Sequence, residues 1–269
     1  MQKANEKPMI TINQIELSPF VEVDETPLRT YIDSKKSFSF LKRASDIILS
    51  TIVIVFLLSW IIPIMAILIK LNSRGPVFFI QRRVGRGLRS FSCIKFRTMV
   101  LNCDADKCSA CDNDRRVTSI GKFLRKTSLD ELPQFINVLL GDMSIVGPRP
   151  HMFADCNRFS EYIQDYKFRN LVRPGITGLA QVKGFRGPAE DSYNIVTRFY
   201  YDSVYIQKMN FRLDIKILLN TIFQVFTIIF FKRIIEKGRA KSIKSDPSKI
   251  AAWTMDELRL LFIQYNSFI

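Results

Sequence analysis

Histidine is almost absent from this chain: His151 is the only one in 269 residues. Cysteine is sparse too, five residues without the dense spacing of a secreted disulfide scaffold, so reduced thiols are the default. Cys103, Cys108 and Cys111 read C-x4-C-x2-C with no second C-x2-C, and His151 is the sole imidazole that could complete a knuckle; the pattern disfavours zinc. Residues 1–39 are polar, punctuated by Pro8, Pro19 and Pro27, and lack an early apolar core, so a secretory signal is not expected in them. Acid is scarce where base is dense. Against 40 Lys and Arg stand 25 Asp and Glu, a formal net charge of +15, and no acid occurs between Lys70 and Val100. Such a balance suits nucleic acid, anionic lipid or a phosphorylated substrate.

What is present chooses among these. Residues 47–69 are 23 consecutive residues without a charge, long enough at about 1.5 Å per residue to cross a hydrocarbon core as a helix. Pro63 should kink that helix, and the Ser59 hydroxyl can serve carbonyls freed near the bend. Lys42 and Arg43 precede the segment; Lys70, Arg74, Arg82, Arg83, Arg86, Arg89, Lys95 and Arg97 follow it. By the positive-inside tendency both ends belong on the cytoplasmic side, so a re-entrant helix-break-helix is expected, with a plain transmembrane helix as the alternative. A nucleic-acid-binding protein, suggested by charge alone, is a poor fit to this segment.

Two extended runs flank Gly85-Arg86-Gly87, the pattern of a hairpin. Alternation in the second run puts Lys95 and Arg97 on one face and Ile94 and Phe96 on the other. That cationic face is either a binding face or a charged, solvated strand edge.

The centre of the chain is SLDELPQFINVLLGDMSIVGPRP, residues 128–150. Ser128 and Glu131 fit a capping box, but a helix started there puts Pro133 at its fifth position, where the missing N–H breaks a bond. A start at Asp130 places Pro133 in the first turn. Leu132, Phe135, Ile136, Leu139 and Leu140 then form one apolar stripe, and Gly141 supplies the stop. A carboxylate at a helix N-terminus is favoured as the anion, so Asp130 is expected to be ionised. Alone, Asp130 and Glu131 are good capping residues; their company makes them a candidate reaction centre. A short helix over residues 117–126, with Ile120, Phe123 and Leu124 apolar, delivers Arg125 and Lys126 ahead of Asp130, and Arg149 follows between Pro148 and Pro150.

Residues 153–171 read as surface helix, with aromatics interleaved among charges. VRPGITGLAQVKGFRG indicates tight turns whose amides can face an anion, with Arg173 and Gln181 as side-chain candidates. Residues 189–210 carry Arg198 and Asp202 on a helix. Residues 217–231 read as an interfacial helix with a basic flank beyond it, or as a buried core helix. A last helix is signalled from Thr254.

In order, KRASD with its proline-broken apolar segment, GPVFFIQRRVG, KFRTM, SLDELPQFINVLLGDMSIVGPRP, RPGITGLAQV and LDIKIL resemble the bacterial sugar transferases, the monotopic polyprenol-phosphate phosphoglycosyltransferases, over residues 40–231. The resemblance implies transfer of a sugar 1-phosphate from a UDP-sugar to undecaprenyl phosphate, with Mg2+, release of UMP and a phosphosugar-aspartate intermediate on Asp130. Glu131 would assist through the metal or its organisation. Lys95, Arg97, Arg125, Arg149, Arg173 and Gln181 would bind substrate, Asp142 would join Asp130 and Glu131 in metal binding, and Asp202 falls in a family block. Many members have Ser-Pro at the membrane break; here Leu58-Ser59 holds that place and Pro63 comes one turn later. HMFAD and KGFRG resemble hexose-transferring members.

The expected architecture is α+β, mainly helical and monotopic. It comprises an N-terminal extension (1–39), a re-entrant membrane helix (40–74), a catalytic domain with a small β-hairpin and amphipathic interfacial helices (75–231), and a basic C-terminal extension (232–269). Larger members carry further membrane helices and a domain that this chain lacks, so it is expected to be near the minimal catalytic unit, on the cytoplasmic face of a bacterial inner membrane. Anionic lipid is an expected partner, nucleic acid is not, and a homodimer is left open. A non-catalytic membrane scaffold is the rival reading; the Asp-Glu pair weighs against it.

Overall fold

A computed structural model describes residues 36–101, 114–161, 163, 166–186 and 192–228. Most of the N-terminal extension, the cysteines at 103, 108 and 111, the C-terminal basic flank and the helix expected from Thr254 lie outside these residues. The chain divides into two compact units after Ile222, the first of which holds the two small sheets and the main hydrophobic core.

The uncharged segment is helical from end to end. Helix α1 (Lys36–Val53) passes through a π-helical turn at Ile54–Leu58 into α2 (Ser59–Asn72). The hydrogen-bond slip that Pro63 invites is thus absorbed one turn earlier, as a widened turn rather than unwound backbone. Ser59 Oγ donates to Val55 O at 2.5 Å, the role expected of its hydroxyl. Val55, Phe56 and Trp60 are exposed, whereas Leu58 is fully buried.

Both ends of this helix are fastened to the same folded unit. Lys42 pairs with Asp214 at 2.5 Å, Arg43 donates to the carbonyls of Val138 (2.6 Å) and Leu139 (3.0 Å), and the Asp46 carboxylate accepts from Ile145 N (3.1 Å). The basic residues read as topology signals are therefore also fasteners. At the other end Ile69 packs with Phe96 and the fully buried Leu124, and partly buried Ile61, Ile62 and Met65 join them. Each such fully buried side chain contributes about 1.5–3 kcal/mol.

Strands β1 (Phe78–Val84) and β2 (Ser90–Phe96) form the antiparallel hairpin, with Phe79 opposite Lys95 and Arg83 opposite Phe91. Arg97 falls just past β2 and does not share a binding face with Lys95. It turns back to donate to Arg74 O (2.8 Å) and Ser73 O (2.6 Å), closing the C-terminal end of α2. Gly75, at φ 127, makes room for it: a Cβ there would lie 2.0 Å from the guanidinium.

Helix α3 (Ser119–Thr127) is capped by Thr118 Oγ1, which accepts from Gly121 N at 3.0 Å. Ser128 (φ 58) ends it in a left-handed turn, so it is a C-cap and no capping box forms. A 3-10 turn at Leu129–Glu131 follows, then α4 (Gln134–Leu140) with Pro133 as its N-cap and Gly141 (φ 97) as its left-handed stop. The proline is accommodated as expected, but the α-helix proper starts later than Asp130.

The face of α4 turned inward is Gln134, Asn137 and Val138; Leu139 and Leu140 are 40% and 70% exposed. The apolar stripe thus looks largely outward. Asn137 explains the inversion, because its amide pairs with the edge of β2, donating to Ser92 O (2.7 Å) and accepting from Ile94 N (2.9 Å). A side chain here does the work of a neighbouring strand.

Parallel strands β3 (Ser144–Val146) and β4 (Gly175–Thr177) bring the GPRP and RPGITG stretches side by side. Gly175 N donates to Pro148 O at 2.9 Å, and a Cβ on Gly175 would lie 2.1 Å from Gly147 N. That amide is consumed in strand contact and faces no anion, contrary to the turn reading. Helix α5 (Phe153–Ser160) is a surface helix as expected, exposing Phe153, Ala154, Asn157 and Arg158 while Cys156 and Phe159 face the core, but the 3-10 segment at Tyr166–Leu171 is not: Tyr166, Phe168 and Arg169 are buried. Short α6 (Leu179–Val182) and α7 (Ser192–Lys208) complete the core, and α8 (Phe211–Phe226) buries Asp214 and Ile217 while exposing Ile215, Leu219 and Ile222. That exposed apolar face fits an interfacial helix better than a core one.

Candidate active site

The 3-10 turn after α3, the inward face of β2 and the proline-bounded arginine converge on Glu131. Its Oε1 accepts from Lys95 Nζ at 2.8 Å and Arg149 NH2 at 2.7 Å, and its Oε2 from Arg149 NH1 at 3.2 Å. Burial alone would raise the Glu131 carboxyl; Arg149 and Lys95 overcome it and hold the group well below its usual range.

Asp130, only 9% exposed, is treated differently. Among the described residues its carboxylate has no hydrogen-bond or ion-pair partner. Burial and then the adjacent Glu131 charge push its pKa from 3.8 up to about 6, against the pull of Lys95, Arg149 and Arg125. The aspartate expected to be ionised is thus harder, not easier, to ionise than a free one, contrary to the helix-terminus argument. A single 3-10 turn offers little dipole, and desolvation plus a like charge outweigh it. Near neutrality Asp130 is mostly an anion, without a partner among the described residues and with its oxygen lone pairs free. Arg125 faces it from α3, oriented by Nε donating to Thr98 Oγ1 at 2.8 Å.

A second layer sets Arg149. Its carbonyl accepts from Arg169 NH2 at 2.7 Å, and Arg169 in turn pairs with Asp202 at 2.7 Å, both side chains 2% exposed. Pro150 O accepts from Arg83 NH1 at 3.3 Å, and His151 O from Val84 N at 2.9 Å. His151 itself lies in the core with Nδ1 2.7 Å from Tyr166 Oη and Nε2 toward Arg198. Burial, then Arg169 and Arg198, hold it neutral. Ringed by guanidiniums, it is no metal ligand.

Of the residues singled out from the sequence, Asp130, Glu131, Lys95, Arg125 and Arg149 come together, and Asp202 reaches them through Arg169. Arg97, Arg173, Gln181 and Asp142 do not. Arg173 donates to Gly141 O (2.9 Å) at the far end of α4, Gln181 is fully buried and donates to Ile176 O (2.9 Å), and Asp142 lies beyond the opposite end of α4 from the dyad. No group of three or more acids, histidines or cysteines suited to a metal occurs among the described residues. Missed in the sequence were Arg169, Arg83, Asn137 and Arg186, whose charge is close enough to be felt by Glu131, Arg149 and Asp130. Only the basic count of RRVG and KGFRG hinted at two of them.

A family model described as Bacterial sugar transferase matches residues 37–228. The chain is 46% identical over 187 residues to the UDP-glucose:undecaprenyl-phosphate glucose-1-phosphate transferase of Escherichia coli (strain K12), covering 69% of this chain and 40% of that one. It is 43% identical over 191 residues to the UDP-N-acetylgalactosamine-undecaprenyl-phosphate N-acetylgalactosaminephosphotransferase of Aeromonas hydrophila, covering 71% and 44%. A third match, 40% identical over 192 residues, covers 70% of this chain and 96% of the exopolysaccharide production protein PSS of Rhizobium leguminosarum bv. phaseoli. The chain thus spans less than half the length of the first two relatives.

Proposed function

The chain belongs to the bacterial sugar transferase family, and from that premise we propose that it moves a sugar 1-phosphate from a UDP-sugar to undecaprenyl phosphate through a covalent intermediate on Asp130. The observation that carries this is the asymmetry of the dyad: Glu131 is tied to Lys95 and Arg149, whereas Asp130 is buried with no partner among the described residues. A group built only for structure would be paired.

An Asp130 oxygen attacks the β-phosphorus, the bond from that phosphorus to the bridging oxygen breaks, and UMP leaves with the electron pair. An oxygen of the lipid phosphate then attacks the same phosphorus and restores the carboxylate. Lys95, Arg125 and Arg149 place positive charge around an anionic nucleophile approaching an anionic diphosphate. Glu131 holds Lys95 and Arg149 in place. Asp130, whose carboxylate has no partner among the described residues, and Glu131 beside it in sequence are the residues that would hold Mg2+, which is commonly bound by one or two carboxylates with substrate phosphates completing the shell; bound there it would supply charge neutralisation. Asp142 is too distant to share it.

The second substrate is a lipid, and the chain is proposed to sit at the cytoplasmic face of a bacterial inner membrane with residues 47–69 re-entrant. Support comes from the two ends of that segment docking on one domain while its middle exposes Val55, Phe56 and Trp60. The test is the full chain with undecaprenyl phosphate, Mg2+ and a panel of UDP-sugars, reading UMP release. UDP-glucose is expected to lead; no release with any sugar would refute the activity. Because the nucleophile must be ionised, the rate should fall as pH is lowered far enough to protonate Asp130. A rate that stays undiminished down to the pH where a free aspartate is protonated would contradict Asp130 as the nucleophile.

A further inference from the structure

A second basic site lies at the opposite end of the hairpin from Lys95. Arg86, Gly87 and Arg89 of the hairpin tip and Gly141, Asp142 and Arg173 line a cavity of about 510 Å3. Lys95 lies five residue steps along the strand from Ser90, roughly 16 Å, so this cavity is not the dyad's.

Three guanidiniums face one carboxylate there. Arg86 and Arg89 are exposed and have no side-chain partner among the described residues. Arg173 is fixed by its Nε on Gly141 O at 2.9 Å. The carbonyl end of α4 cannot neutralise them all, because Arg43 already takes Val138 O and Leu139 O. Burial, then Arg43 and Arg86, lowers the pKa of Arg173, as expected of crowded cations.

The rim is apolar. Leu88 stands between Gly87 and Arg89, 46% exposed and held at φ 63, a conformation costly for a leucine. Leu140, 70% exposed, precedes Gly141. Arg86 and Arg173 also face Phe38, Lys42, Arg43 and Asp46 of α1 across a smaller cavity of about 50 Å3. Asp46 is the last charge before the uncharged run at 47–69, which puts the site where that run begins.

We propose that Arg86, Arg89 and Arg173 bind the phosphate headgroup of an anionic membrane phospholipid, with Leu88 and Leu140 against its acyl chains, seating the hairpin tip on the bilayer surface. The combination of guanidiniums with exposed leucines selects an amphiphile over free phosphate. This site rests on the proposed membrane placement of residues 47–69.

Native mass spectrometry of the full chain in detergent, titrated with phosphatidylglycerol, phosphatidylcholine or inorganic phosphate, tests it. The wild type should prefer phosphatidylglycerol, and Arg86→Ala/Arg89→Ala should lose roughly thirtyfold of that preference while releasing UMP at the normal rate. Leu88→Ser should weaken phosphatidylglycerol alone. An undiminished preference in the double arginine variant overturns the proposal. So does inorganic phosphate competing as well as the lipid. Failure of the wild type to enter neutral phosphatidylcholine vesicles would instead sink the membrane placement, and this site with it.

Discussion

Asp130→Asn should abolish sugar-phosphate transfer, lowering UMP release by about 10,000-fold or more, and should at the same time make the protein more stable at neutral pH. The two effects have one cause. A carboxyl whose pKa rises from 3.8 unfolded to about 6 folded binds more protons in the native state between those values. Stability therefore falls as pH rises from about 4 through 6, and the ionised form is tolerated at a cost on the order of 3 kcal/mol. Asparagine keeps the shape and removes the charge. Melting of the variant should lose that pH step and lie above the wild type at pH 7.5, with intact-mass spectra showing a phosphosugar adduct on the wild type only. A variant that still releases UMP at the normal rate would remove Asp130 as nucleophile. One that is inactive with an unchanged pH step would assign the titration to another group.

The dyad and its three cations were legible through the resemblance carried by the DELPQ and GPRP blocks; local pattern alone gave only two good capping residues, a cationic strand position at Lys95 and an arginine bracketed by prolines at 149. What failed was long side chains whose targets are far in sequence. Arg97 obeys the strand period but lies one residue past the end of β2, so it serves the carbonyls of α2. Arg173 and Arg43 likewise end on the C-terminal carbonyls of α4, sinks that no spacing rule announces. The stripe on α4 marked an apolar surrounding without saying which side of the helix the core occupied, and Asn137 decided that by pairing with β2. The surface reading of residues 153–171 fits α5 but fails at Tyr166–Leu171, where Arg169 is paired in the core.

That buried pair yields the second large effect. Asp202→Asn leaves the Arg169 guanidinium 2% exposed beside a neutral His151 and close to Arg198, and removing one partner of such a pair costs about 3–5 kcal/mol. For a domain of this size the melting temperature should fall by roughly 10 °C. Arg169 also holds the Arg149 carbonyl, so activity should drop roughly 100-fold through misplacement of Arg149 against Glu131. A double variant separates the two roles. Asp202→Leu with Arg169→Met removes both charges and should recover most of the stability, since a buried pair replaced by apolar groups is often neutral, yet it leaves Arg149 O without its donor and should stay slow. Because Arg169 acts through Arg149, the defect should appear in kcat, with KM for the UDP-sugar less affected, and Asp202→Glu should rescue part of it. If the double variant regains full kcat, Arg149 is placed by Arg83 and the hairpin alone, and the Asp202–Arg169 pair is a core element with no share in the chemistry.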